Sequence, residues 1–61
     1  MNTQIPIGTP VIDKRTGIEM RIDAYPMLKG EWIGGYICAW DGPNGYVRRA
    51  YFRPDELIIP D

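Results

Sequence analysis

Residues 18–25, Ile-Glu-Met-Arg-Ile-Asp-Ala-Tyr, decide the fold. Apolar and polar side chains alternate strictly along this stretch, so that one side carries Ile18, Met20, Ile22 and Ala24, and the other carries Glu19, Arg21, Asp23 and Tyr25. Because successive side chains of an extended strand point to opposite faces, the alternation predicts a β-strand with one buried face. The protein is therefore expected to be built around a sheet.

Outward from this strand, Gly and Pro interrupt the chain at intervals too short for an ordinary helix. The segments between them predict four more strands, at residues 9–13, 35–40, 46–52 and 57–59. Turns are expected at 14–17 and 41–45, a loop at 26–34, and a single 3₁₀ turn at 53–56 just before the last strand. This order predicts an all-β fold, a small five-stranded SH3-like barrel forming a single domain over residues 1–61. The alternative is an open, curled sheet of three or four strands.

Composition limits the size of the core and the kind of partner. A chain of 61 residues has few large apolar side chains to bury, so a monomer and a homodimer are both open. The chain has seven basic and eight acidic residues, so it lacks the overall positive charge that attracts nucleic acid. Cys38 is the only cysteine, and no leader pattern or membrane-length apolar run is present. We expect a cytoplasmic protein that does not contact membranes.

A family resemblance spans residues 7–59. Its features are Ile7-Gly8, Gly17, Met20, Cys38-Ala39-Trp40, Asp41-Gly42, Phe52, Pro54 and Leu57. In these features the chain resembles the YodC-like family of small, uncharacterised bacterial and phage proteins. The resemblance implies a compact β-barrel, and it brings no assigned activity, cofactor or catalytic residue. The hairpin after Trp40 and the run 46–49 differ from the family pattern.

The residues that enzymes commonly use are scarce. The chain has no His, and nothing in the sequence offers Cys38 a base. One Cys without His does not make a zinc site, and Gly34-Gly35 lacks the setting of a phosphate-binding loop. A weaker resemblance to the type II dihydrofolate reductases fails at residues 47–50, Val-Arg-Arg-Ala, where those enzymes carry Val-Gln-Ile-Tyr. We expect no enzyme, no cofactor and no metal; an enzyme assembled only in an oligomer is a third hypothesis.

Aromatic side chains suggest a binding surface. The chain has more polar-tipped aromatics than a thin core encloses, and four of them are the predicted partner-binding residues: Tyr25, Trp32, Tyr36 and Tyr51. Trp32, within the predicted loop, is the one most expected to be exposed. The leading hypothesis is a small non-enzymatic binding module that docks a protein partner through these aromatics. The alternative is that Trp40 and two tyrosines belong to the core and the rest cover the ends of the barrel.

A basic and aromatic set gives the second hypothesis. Arg48, Arg49 and Arg53, with Tyr46 or Tyr51 stacking on bases, are the candidate nucleic-acid-binding residues. Adjacent residues such as Arg48 and Arg49 point to opposite faces unless a bulge intervenes. Nearby carboxylates also offer ordinary salt bridges to these arginines, from Glu31, Asp55 and Glu56.

Overall fold

A computed structural model describes residues 4–60 of the chain. Within them lie the strands β1 (Pro10–Asp13), β2 (Glu19–Ala24), β3 (Met27–Leu28), β4 (Glu31–Trp32), β5 (Tyr36–Asp41), β6 (Val47–Phe52) and β7 (Leu57–Ile58). Two 3₁₀ turns, Pro43–Gly45 and Pro54–Glu56, precede β6 and β7. In the described part of the chain, no helix has the length and apolar character needed to cross a membrane.

The strands form a five-stranded antiparallel sheet in the order β6-β5-β2-β1-β7, and β3 and β4 pair as a separate two-stranded sheet. The all-β prediction is confirmed. The predicted 3₁₀ turn before the last strand is also confirmed, where the Arg53 backbone N–H donates to Glu56 Oε1 at 2.7 Å. β6 and β7 are the outer strands of the five.

The core lies against one face of this sheet. Its buried side chains are Val11, Met20, Ile22, Tyr36, Cys38 and Leu57. The burial predicted for Met20 and Ile22 is confirmed, and they alternate with exposed Glu19 and Arg21 along β2. The burial predicted for Ile18 is wrong.

Ile18 is exposed because it belongs to the turn before β2. Its backbone N–H donates to Thr16 Oγ1 at 3.3 Å, and its carbonyl accepts from the Asp13 N–H at 3.0 Å. The buried Asp13 carboxylate organises the same turn, since it accepts from the Arg15 N–H and the Thr16 hydroxyl, both at 3.0 Å. The turn predicted at residues 14–17 is therefore confirmed, and one aspartate provides its hydrogen-bond acceptors.

The prediction of a loop at residues 26–34 is wrong, because β3 and β4 form a hairpin there. Met27 pairs with Trp32 and Leu28 with Glu31. The two residues between them, Lys29 and Gly30, both have positive φ, 52° and 79°. Positive φ at both central positions is the requirement of a type I′ turn, whose twist suits a tight hairpin. A short arm therefore extends between β2 and β5.

Candidate functional site

Three aromatic side chains meet where β2, β4 and β5 come together. The ring centroids of Tyr25 and Trp32 are 6.3 Å apart, those of Tyr25 and Tyr36 6.0 Å, and those of Trp32 and Tyr36 5.6 Å. The Tyr25 ring packs edge-to-face against both Trp32 and Tyr36, an arrangement that aromatic rings favour. We call Tyr25, Trp32 and Tyr36 the aromatic cradle.

The cradle holds the main chain of Ile5. The Tyr25 hydroxyl donates to the Ile5 carbonyl at 2.6 Å, and the Tyr36 hydroxyl accepts from the Ile5 N–H at 3.1 Å. The Ile5 side chain is partly buried against the core. Two phenol groups thus satisfy both backbone groups of one residue.

The cradle is less exposed than the sequence predicts. Tyr36 has only 3% of its surface exposed and lies in the core, and its role in partner binding stays a prediction. Trp32 is half-buried in β4 instead of exposed on a loop, because its Nε1–H donates to the Gly35 carbonyl at 2.8 Å and its ring packs on the two tyrosines. Tyr25 is also half-buried. The alternative that two tyrosines join the core therefore fits Tyr36 fully and Tyr25 in part.

Tyr51, the fourth predicted aromatic, lies on the other face of the sheet. Tyr51 is opposite Ile37 in the β5–β6 ladder, whereas Tyr36 is opposite Phe52, and directly opposed residues share a face. The exposed Tyr51 ring is fixed by its hydroxyl, which donates to the Gly34 carbonyl at 2.8 Å. The four predicted aromatics therefore do not form one surface.

An apolar surface that sequence reasoning missed lies on the β3–β4 arm. Met27, Leu28 and Ile33 each expose more than half of their surface. The Ile33 N–H donates to the Pro26 carbonyl at 3.2 Å and closes the base of the arm, next to the Gly34 carbonyl that binds Tyr51. We call the exposed apolar residues on and beside this arm, Met27, Leu28, Ile33 and Tyr51, the hairpin surface. Within it Met27 shares a face with its partner Trp32, and Leu28 lies on the opposite face with Glu31. The available signal was a group of large apolar residues in a segment without strand alternation.

The arginines predicted to bind nucleic acid do not share a face. Ala39 is opposite Arg49 and Trp40 is opposite Arg48 in an unbroken ladder, so no bulge brings the two arginines together. Arg49 Nε lies 2.9 Å from Asp23 Oδ2. Arg53 Nε lies 3.5 Å from Asp55 Oδ1 and 3.8 Å from Glu56 Oε1. Tyr46 is the most exposed aromatic of those described.

Comparisons with protein-family models, with curated proteins and with solved structures find no match for this chain. The resemblance to the YodC-like family stays a prediction, and function is inferred from the contacts of the described residues.

Cys38 is the only nucleophilic thiol, and it lies fully buried at the centre of the sheet. Burial, with a smaller contribution from the negative charge of Asp13, raises the pKa of the thiol to about 11. Since the thiolate is the reactive form, this environment makes the sulfur inert at neutral pH. Among residues 4–60, no three His, Cys, Asp or Glu side chains come together in a group that could hold a metal ion.

We expect the Cys38 thiol to make the folded protein less stable above pH 9. The folded state keeps its proton up to a pKa of about 11, whereas the unfolded thiol ionises near its ordinary value of 9.0. The unfolded state therefore binds fewer protons between these values, and the free energy of unfolding falls by about 2 kcal/mol as the pH rises through that window. Urea denaturation of wild type and Cys38→Ala at pH 8 and pH 10.5 measures this. An equal loss of stability in both proteins would contradict it.

Proposed function

We propose that this protein is a small non-enzymatic binding module that docks a protein partner through the hairpin surface. The observation that carries the proposal is the exposure of Met27, Leu28 and Ile33 on one short arm. Each of these side chains would stabilise a core by about 1.5–3 kcal/mol if it were buried, which is a large amount for so short a chain. Met27 and Leu28 lie on opposite faces of the arm, so a partner that covers both would enclose the arm and not only lie against one side of it.

The arm is held in place without contributing much to the core. Two residues in each strand are too few for a hairpin that is stable by itself. Trp32 attaches one strand to the aromatic cradle, and the Ile33 to Pro26 hydrogen bond closes its base. The arm therefore presents Leu28 from a fixed position, which reduces the entropy lost on binding.

A protein partner is favoured over nucleic acid. Arg49 and Arg53 already contact carboxylates, so their contacts with a phosphate backbone would have to compete with these exposed ion pairs. The hairpin surface is apolar. One basic residue, Lys29, and one acidic residue, Glu31, flank it on the same arm. Such a surface suits an apolar patch of another protein with a mixed-charge rim.

The same proposal includes the finer points of fold and setting. We propose that the sheet curls into an SH3-like barrel, supported by the β5–β6 hairpin, the insertion after β2 and the 3₁₀ turn before β7. A cytoplasmic bacterial or phage accessory protein is supported by the YodC-like features and by a buried, unpaired Cys38. The proposal leaves both a monomer and a homodimer open.

We expect Leu28→Lys to weaken docking strongly while leaving the fold intact. Leu28 is 64% exposed and is opposite Glu31 in the hairpin, so a lysine there pairs with an acidic neighbour and places a charge on the apolar surface. Quantitative affinity capture from host extract should show each specific partner reduced about tenfold or more, the effect of removing a central contact. The matched control is Ile59→Lys, since Ile59 is 50% exposed and lies next to β7, outside the hairpin surface. Equal loss or equal retention in the two variants would reject the hairpin surface.

A further inference from the structure

The contact between Ile5 and the aromatic cradle has the features of a bound peptide. The cradle recognises the backbone of Ile5 at both the N–H and the carbonyl, and the Ile5 side chain packs against the core. Backbone hydrogen bonds combined with one buried apolar side chain are the usual means of binding an extended peptide. The residue on each side of Ile5, Gln4 and Pro6, is exposed.

The segment that carries Ile5 is held outside the sheet. β1 begins only at Pro10, and none of the described ladders includes residues 4–9. The next backbone bond from this segment to the sheet is made by the Gly8 N–H, which donates to the Ile22 carbonyl at 2.7 Å. Ile7, between the two attachments, points its side chain largely into solvent. Ile5 is therefore one anchored residue followed by a short tether.

We propose that Tyr25, Trp32 and Tyr36 form a peptide-binding site for an extended segment with a β-branched apolar residue, and that Ile5 occupies this site as an internal ligand. The partner is a protein with such a segment. It uses the same three contacts: a carbonyl that accepts from the Tyr25 hydroxyl, an N–H that donates to the Tyr36 hydroxyl, and an aliphatic side chain that packs against the core beside Tyr36.

Internal occupancy explains why the cradle is covered in this structure. A short tether gives the internal segment an effective concentration on the order of millimolar, so weak contacts are enough to fill the site. An external peptide then binds only to the fraction of molecules in which the cradle is open, which weakens its apparent affinity. The Tyr36 ring belongs to the core, and its hydroxyl is the group that the Ile5 N–H contacts.

The test uses the full chain and a free peptide copying residues 2–8, Asn-Thr-Gln-Ile-Pro-Ile-Gly. In the Ile5→Asp protein, a charged side chain disfavours the internal contact and opens the cradle. Titration followed by NMR should move the Trp32 indole N–H and the Tyr36 amide, with a dissociation constant at least tenfold lower than for wild type. The matched control is Ile7→Asp, which changes an exposed residue of the same segment and should behave like wild type. A peptide with Asp in place of its Ile5 should not bind.

The following results would overturn the proposal. If folded Ile5→Asp protein binds the peptide no better than wild type does, the cradle is not a site for external peptides. If neither Ile5→Asp nor the milder Ile5→Ala folds, Ile5 is a structural residue and not a ligand. The hairpin surface is tested separately, because Leu28→Lys added to Ile5→Asp should leave peptide binding unchanged. The two proposals therefore succeed or fail independently.

Discussion

Replacing Ile22 with alanine is expected to lower the free energy of unfolding by about 3 kcal/mol, the middle of the range for deleting a buried isoleucine side chain. Ile22 is only 1% exposed and lies opposite Cys38 in the centre of the five-stranded sheet. Its own backbone also binds the N-terminal segment, donating to the Thr9 carbonyl at 3.0 Å and accepting from the Gly8 N–H at 2.7 Å. A cavity at this position therefore weakens several attachments at once.

In a domain of this size about 1 kcal/mol corresponds to 4–8 °C, so thermal denaturation followed by circular dichroism should show the melting temperature of Ile22→Ala lowered by about 15 °C. Ile59→Ala is the matched control, since it deletes the same atoms from a half-exposed residue and should change stability by less than about 0.5 kcal/mol. Similar losses in the two variants would show that Ile22 does not occupy the core.

Gly35→Ala should lower the free energy of unfolding by about 2–3 kcal/mol, from backbone strain and from displacement of a ring. Gly35 has φ of +122°, a conformation that L-residues rarely adopt. A Cβ at Gly35 would also lie 2.5 Å from the Tyr51 hydroxyl oxygen and 2.7 Å from a Tyr51 ring carbon. Tyr51 would have to move away and lose its hydrogen bond to the Gly34 carbonyl.

Further variants separate the effect of backbone strain from the effect of displacing the Tyr51 ring. Gly34→Ala is the control for backbone strain, since Gly34 has φ of +79° and nothing lies within 4 Å of its added Cβ. Gly35→Ala made in a Tyr51→Ala background should cost about 1 kcal/mol less than in wild type, because the displaced ring is no longer there. Urea denaturation of the four proteins in this cycle measures the difference. No coupling between the two positions would mean that the ring does not pack on Gly35.

Sequence patterns predicted the sheet well where one simple rule applied. Strict alternation located β2 and its buried face, and the Asp, Asn and Gly residues of 41–45 located the turn before β6. The bounds of all five predicted strands lie within one residue of those observed for β1, β2, β5, β6 and β7. Ile18 departs from the rule because it lies just before β2, where its N–H bonds to the Thr16 side chain of the turn and not to a neighbouring strand.

The β3–β4 arm was missed because its turn does not have the usual sequence. Two-residue hairpins of this type favour Asn-Gly or Asp-Gly, and here Lys29 takes the first position with φ of 52°. Strands of two residues are also too short to show alternation. A positive φ at a lysine is set by the pairing around it, which local sequence patterns do not describe.

The candidate sites were predictable only in part. The sequence selected Tyr25, Trp32 and Tyr36 as a group, and they do lie together. The hydrogen bonds of the two tyrosines to Ile5 were not predictable, because Ile5 is 20 residues from Tyr25 and 31 from Tyr36 along the chain. Tyr51 was placed with them because residue type does not reveal which face of a sheet a side chain occupies, and the register decides that.

The position of β6 has a consequence for how the protein behaves at high concentration. An outer strand has unpaired backbone groups along one side, and a second molecule can extend the sheet through them into an aggregate. Arg48 and Arg49 occupy the middle of β6. If two copies joined antiparallel through these edges in the register that places residues 48 and 49 opposite each other, guanidinium groups of one copy would lie beside those of the other, and like charges in such positions repel. In that register the arginine pair makes β6 a poor template for sheet growth.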